Sequence, residues 1–207
     1  MQYIDLTHIF NSHMPVFPGD PATELKQTTF VEQDGFSHFH LSTSLHVGTH
    51  MDAPSHMLSG GKLLNEYPVE KFFGRGVIID ARGKSSAGIE LLSGVEIQPG
   101  DIVVICFGWS KAFEQDEYYL NYPVVEEKLV VRLVELGVSM VGMDTPSPDK
   151  APYSVHKILL KKDVLIIENL TNLEQLFGVK NFSLVALPVK FQAEAALCRV
   201  VAQIKEH

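Results

Sequence analysis

The spacing of apolar and polar residues changes period partway along the chain. Early on, Phe39, Leu41, Thr43 and Leu45 alternate with His40, Ser42 and Ser44. This period of two predicts a strand within residues 36–45. Residues 3–7 predict a shorter strand of the same kind. Residues 76–80 (GVIID) and 101–106 (DIVVIC) are unbroken apolar runs rich in Val and Ile, the pattern of strands buried on both faces. Beyond residue 120 the period lengthens. Within residues 125–136, Leu129, Val130, Leu133 and Leu136 fall at helical spacing, and Gly137 predicts the stop. Residues 138–143, 164–168, 182–189 and 197–204 read as strands and residues 154–162 as a helix. Strands alternating with helices predict an α/β layered domain, and the strand-rich opening predicts more than a simple doubly wound sheet.

No repeat, low-complexity tract or linker divides the chain, so residues 1–207 are expected to form a single domain. With 45% hydrophobic residues, a chain of this size can bury a core without staples. The formal charge of −8, from 17 basic against 25 acidic residues, argues against nucleic acid as a partner, because phosphate binding needs clustered Lys and Arg. The densest basic run, Lys157, Lys161 and Lys162, reads as a solvated helix face. No apolar stretch approaches the roughly 18 to 20 residues of a membrane span. The first residues lack the basic start and apolar core of a signal peptide. Cys106 and Cys198 lie in separate apolar stretches and are expected to be free buried thiols, which points to the cytoplasm.

Chemistry concentrates in residues 46–56, HVGTHMDAPSH, which hold three of the nine histidines. Gly48, Pro54 and the β-branched Val47 and Thr49 resist a helix. On a straight strand, His50 and Asp52 would share a face about 6 to 7 Å apart, with His46 about 13 Å from His50. An ion lying about 2 Å from each ligand could not span that distance. A shared site therefore requires a bend at Gly48–Thr49, which a glycine permits. Imidazole and carboxylate donors suit zinc, manganese or iron rather than copper(I). His56, following Pro54, could stand close without ligating and carry protons near neutral pH. The competing reading is a polar loop whose histidines bond to their neighbours.

A second constellation comprises residues 143–149 (MDTPSPD), His156 at a helix start and Glu168 at the end of an apolar run. A carboxylate at the carboxyl end of a buried strand is where α/β folds place their chemistry; an ordinary exposed strand end is the alternative. Asp144 and Ser147 could orient groups around such a centre. His8 is expected to hydrogen-bond within its turn, His38 and His40 to lie on the polar side of a strand leading to the site, and His13 and His207 to lie at the surface. A serine hydrolase is excluded for want of a Gly-x-Ser-x-Gly elbow. A metal-binding protein without turnover is the competing class, against which His56 speaks, since binding alone needs no free imidazole.

The segment HVGTHMDAPSH resembles the signature His-x-Gly-Thr-His-x-Asp-x-Pro-x-His of the cyclase family of metal-dependent hydrolases, which includes bacterial kynurenine formamidases and isatin hydrolases. IDLTH, MPVFPGDP, GMDTPSPD, His156, Glu168 and LPVKF with Arg199 extend the resemblance over nearly the whole chain. It implies a three-layer β/β/α, cyclase-like (swivelling-domain-like) α/β fold and a centre of two Zn2+ ions per subunit, with Mn2+ as the alternative. His46, His50 and Asp52 would hold the first ion. Asp52 would bridge to a second held by His156, with Glu168 touching both. His56 would be the catalytic acid/base, and Phe17 would line the substrate pocket. The implied reaction on a small-molecule substrate is cleavage of an amide C–N bond in an aryl formamide such as N-formylkynurenine, or in a cyclic amide or ester such as isatin. The implied assembly is a homodimer or higher homo-oligomer. Two departures stand out. Phe17 occupies a position similar to one that is tryptophan in kynurenine formamidases. ICFGWS lacks the arginine of an Arg-Thr pair that relatives often carry, so no charge there meets a substrate carboxylate.

Overall fold

The structure, a computed structural model, describes residues 1–204; His207, expected at the surface, lies outside the described residues. The strands of the amino-terminal half are β1 (Gln2–Asp5), β2 (Glu24–Thr29), β3 (His38–Ser42), β4 (His50–Asp52), β5 (Phe73–Asp80), β6 (Ser86–Ala87) and β7 (Ile102–Cys106). A one-turn helix α1 (Val31–Asp34) links β2 to β3. The second half adds β8 (Val124–Val125), α2 (Glu127–Glu135), β9 (Met140–Met143), α3 (Ser154–Leu160), β10 (Leu165–Glu168), β11 (Phe182–Pro188) and β12 (Ala195–Ile204).

The main sheet runs β1-β12-β11-β5-β7-β9-β10-β4, and β4 also pairs with β12, so the sheet closes into a barrel-like ring. β12 achieves this by changing partners along its length. Its residues 195–197 pair with β4, while 198–204 pair with β11 and 201–204 with β1. β5, β7, β9 and β10 are mutually parallel; the remaining pairings of the ring are antiparallel.

Two cores explain the unbroken apolar runs. Along β7, Ile102, Val104 and Cys106 point into the barrel, where they meet Met51, Ile167, Leu184 and Val200. Val103 and Ile105 point outward and pack under Leu129, Val130 and Leu133 of α2 and Val155 and Leu159 of α3. Each face of such a strand buries side chains worth about 1.5–3 kcal/mol apiece. The layering is thus β/β/α, with the two β layers joined into a ring. Gly137 stops α2 as expected, adopting φ +75° while its N–H donates to the Val134 carbonyl at 3.0 Å. Cys106 and Cys198 are both free and buried, and Lys157, Lys161 and Lys162 are exposed. No helix among the described residues is long and apolar enough to cross a membrane.

The alternation in residues 36–45 does form a strand, β3, but it faces no core. Every residue of β3 is exposed, Phe39 at 54% and Leu41 at 44%. β3 pairs only with β2, as a two-stranded hairpin outside the ring. Period two reports a strand with two unlike faces, whatever covers the apolar one.

Candidate metal centre

The bend required at Gly48 is present. Gly48 adopts φ +63°, a conformation that penalises side chains, and a Cβ there would stand 2.5 Å from Met14 Cε. Asn169, just past β10, pins the turn: its Nδ2 donates to the Gly48 carbonyl at 2.9 Å while its Oδ1 accepts from the Tyr118 hydroxyl at 2.8 Å. Thr49 Oγ1 donates to the Asn169 carbonyl at 2.6 Å and accepts from the His8 N–H at 3.0 Å.

From this turn β4 emerges with His50 and Asp52 on one face and Met51 on the other, inside the barrel. Register then supplies the next group, because His50 lies directly opposite Glu168 of β10, and cross-strand partners share a face. His156 comes from the first turns of α3. His50, Asp52, His156 and Glu168 are all buried.

The geometry is that of two carboxylates, Asp52 facing three imidazoles and Glu168 two. Asp52 Oδ1 lies 3.0 Å from His46 Nδ1 and 3.5 Å from His50 Nε2, while its Oδ2 lies 3.9 Å from His156 Nε2. Glu168 Oε2 lies 3.3 Å from His50 Nε2, and Oε1 3.3 Å from His156 Nε2. The inner nitrogens of two histidines are fixed from behind. His50 Nδ1 bonds the Gly48 carbonyl at 2.8 Å, and His156 Nδ1 bonds Asp149 Oδ1 at 2.5 Å. Each Nε2 is thereby turned toward the carboxylates, placed to offer its lone pair to a bound ion, the arrangement ligating histidines require.

The donor set fits a divalent ion. His50 Nε2, both oxygens of Asp52 and Glu168 Oε1 are buried without a hydrogen-bond partner. Orphaned buried polar atoms are costly, and a cation among them would satisfy all four. Ligand atoms fall into two trios within 4.8 Å that share Asp52: His46, Asp52 and His56, and His50, Asp52 and Glu168. His56 therefore stands at ligating range of Asp52 and His46, closer in than a bystander.

Electrostatics follow from burial among opposite charges. Burial alone would lower the His50 and His156 imidazoles. The Asp52 and Glu168 carboxylates outweigh it at His50, holding it at about 9, and Asp149 and Glu168 hold His156 at about 10. Burial would raise Asp52, yet the imidazoles of His46 and His50 hold it well below the usual carboxylate range. His56 moves the other way, lowered by burial against the opposing pull of Asp52.

A cavity of about 320 Å³ opens onto this cluster, lined by His46, His56, His156 and Glu168 below and by Phe17, Tyr119 and Tyr153 above. Phe17 meets Tyr119 edge-on, ring centroids 5.6 Å apart.

Other expectations fare variously. His13 is exposed, as are His38 and His40. His8 does not bond within its turn: its ring stacks on Phe113 with centroids 3.7 Å apart, and its Nε2 has no partner. The flat apolar ring of Phe113 outcompetes the turn for it. Asp144 faces away from the cluster and accepts from the N–H groups of Phe107 and Trp109 at 2.8 Å each. Ser147 lines the cavity, and its hydroxyl donates to the Asp149 carbonyl at 2.8 Å. The group that orients His156 is Asp149, which sequence reasoning missed; a carboxylate shortly before a helix start was its only local signal. Asn169 had none.

Comparison with known proteins gives a consistent picture. A family model described as putative cyclase matches residues 4–150. A kynurenine formamidase of Erythrobacter litoralis is 29% identical over 95% of this chain and 91% of its own. Among solved structures, a potential metal-dependent hydrolase with cyclase activity superposes with TM-score 0.81 at 27% identity, covering 100% of this chain and 99% of that one. An isatin hydrolase bound to the product analogue thioisatinate superposes with TM-score 0.89 at 20% identity, covering 99% and 93%, which is a likeness of fold.

Proposed function

This chain belongs to the cyclase family, and on that premise we propose that it is a metal-dependent hydrolase of amide C–N bonds, acting on aryl formamides such as N-formylkynurenine. One observation carries the reading: carboxylates and imidazoles converge with four of their buried facing atoms, His50 Nε2, both oxygens of Asp52 and Glu168 Oε1, unpaired. His46, His50, Asp52, His156 and Glu168 would hold the metal, Asp52 and Glu168 each reaching both halves of the cluster. Nitrogen and oxygen donors favour two zinc ions, with manganese as the alternative. When bound, a divalent ion supplies Lewis-acid chemistry, activating water near neutral pH and polarising the amide carbonyl.

His56 moves the proton. Its lowered pKa leaves it neutral at pH 7 and able to accept the proton that water loses. A bond forms between the water oxygen and the formyl carbon, the carbon–nitrogen bond breaks, and His56 returns the proton to nitrogen. The products are an aryl amine and formate. Such positioned proton transfer is worth roughly 10²- to 10⁴-fold. Phe17 and the tyrosines wall the aromatic part of the substrate from water.

We read residues 1–207 as one hydrolase domain, a reading supported by the pairing of β1 with β12, and the cytoplasm as its compartment, supported by two free thiols. The exposed Phe39 and Leu41 of the hairpin support a homodimer, since contiguous apolar patches mark interfaces. The test of the central reading is turnover of N-formylkynurenine, isatin and formanilide by metal-reconstituted enzyme, before and after exhaustive chelation. Formamide cleavage that disappears with chelation and returns with zinc or manganese is expected. Turnover of isatin alone moves the assignment to a lactam hydrolase, and activity indifferent to chelation overturns it.

A further inference from the structure

The FPGD segment gives part of the cavity wall its own chemistry. Residues 17–20, FPGD, form a tight turn in which the Asp20 N–H donates to the Phe17 carbonyl at 2.9 Å. Proline second and glycine third, with Gly19 at φ +102°, is the composition of a type II turn. The turn places both Phe17 and the exposed Asp20 on the cavity lining. Tyr119 completes the group: its ring meets Phe17 edge-on, and its hydroxyl is anchored on the Pro15 carbonyl at 3.0 Å. Burial pushes the Tyr119 phenol well above its usual range, with the charges of Glu168 and Asp20 adding to the shift. Asp20 itself makes no side-chain hydrogen bond or ion pair among the described residues. No Lys or Arg lines the cavity.

Two aromatic faces beside an unpaired carboxylate make a site for an organic cation, and the same carboxylate repels an anion. We propose that Asp20, Phe17 and Tyr119 form a specificity subsite that binds an ammonium group on the side arm of the substrate. The enzyme thus selects aryl amides carrying an amine over those carrying a carboxylate alone. This rests on the hydrolase reading above and names the handle by which that site grips its substrate.

The test compares kcat/KM for 4-(aminomethyl)formanilide and 4-(carboxymethyl)formanilide, near-isosteric substrates of opposite charge, on the metal-reconstituted enzyme, with formanilide as the neutral reference. A preference of about tenfold or more for the ammonium substrate is expected at low ionic strength, shrinking with added salt. Asp20→Asn should bring the ratio to within about threefold, and Asp20→Lys should invert it. Competition by benzylamine against formanilide, weakened in Asp20→Asn, gives a second readout. Cleavage of formanilide with no charge preference, or a preference that Asp20→Asn leaves intact, overturns the subsite while sparing the hydrolase. Failure to cleave any formanilide, with benzylamine still binding wild type more tightly than Asp20→Asn in calorimetry, overturns the hydrolase reading and leaves the cation subsite standing.

Discussion

Asp149→Asn isolates how the fold prepares a ligand. Asp149 accepts two hydrogen bonds, one from His156 Nδ1 at 2.5 Å and one from the Val155 N–H at 2.7 Å. Both oxygens are engaged in a buried setting. Asparagine keeps the shape but offers one acceptor oxygen, and its amide nitrogen must face one of the two donors. If the oxygen stays with His156, the Val155 N–H loses its partner at a cost of about 1–3 kcal/mol. If it stays with Val155, His156 Nδ1 loses the acceptor that fixes its proton, and Nε2 is no longer reserved to offer its lone pair to a bound ion. Loss of such a supporting bond typically lowers metal affinity or activity about 10- to 100-fold, equivalent to about 1.4–2.7 kcal/mol. Competition titration of zinc against a chromogenic chelator measures the affinity, and thermal unfolding of the metal-free protein measures the stability. Wild-type values in both would show that Asp149 neither orients His156 nor caps α3, and the account of the centre would have to be rebuilt.

Further outcomes follow from the same geometry. His56→Ala should retain metal while losing about 10²- to 10⁴-fold in kcat, whereas Asp52→Ala, which serves both trios, should lose metal as well; metal content by mass spectrometry beside kinetics separates the two, and full activity in His56→Ala would refute its proton role. Burial pushes His8 down to about 4, below the roughly 6.5 of an unfolded chain. The folded state therefore binds fewer protons than the unfolded one, and this contribution is complete above about pH 6.5 and lost as pH falls toward 4. Because His8 is partly exposed, it amounts to no more than about 2 kcal/mol; His8→Phe should flatten the urea-unfolding pH profile in that window, and an unchanged slope would contradict it. Leu41→Glu should shift the protein to monomer in sedimentation velocity, and a wild type already monomeric at micromolar concentration would dismiss the hairpin as an interface.

What the sequence made legible divides along the range of the interactions. The residues 46–56 announced themselves because their chemistry is local: imidazoles and a carboxylate within one bend, and a glycine that makes the bend affordable. The buried runs GVIID and DIVVIC and the helix ending at Gly137 were legible because periodicity reflects burial directly. His156 and Glu168 stood out at a helix start and a strand end, but their joining to the first cluster came through resemblance to a family, and only the β4–β10 register brings Glu168 opposite His50. Asp149, Asn169 and Tyr119 were not legible. Asn169 and Tyr119 act through contacts that exist only after distant segments pack, with Gly48 and Phe17, whereas Asp149 lies only seven residues from His156 in a loop whose path no periodicity reports. The hairpin misled for a related reason, since alternation records amphipathicity and is silent about which molecule covers the apolar side.

The ring closes through β4, a strand of three residues held between β10 and the opening residues of β12. Both partners follow His46, His50 and Asp52 by more than a hundred residues of chain. During synthesis these donors therefore precede both strands that flank β4. The donors of β4 and Glu168 of β10 meet only once these distant segments pair, so closing the ring and assembling the cluster are one folding event.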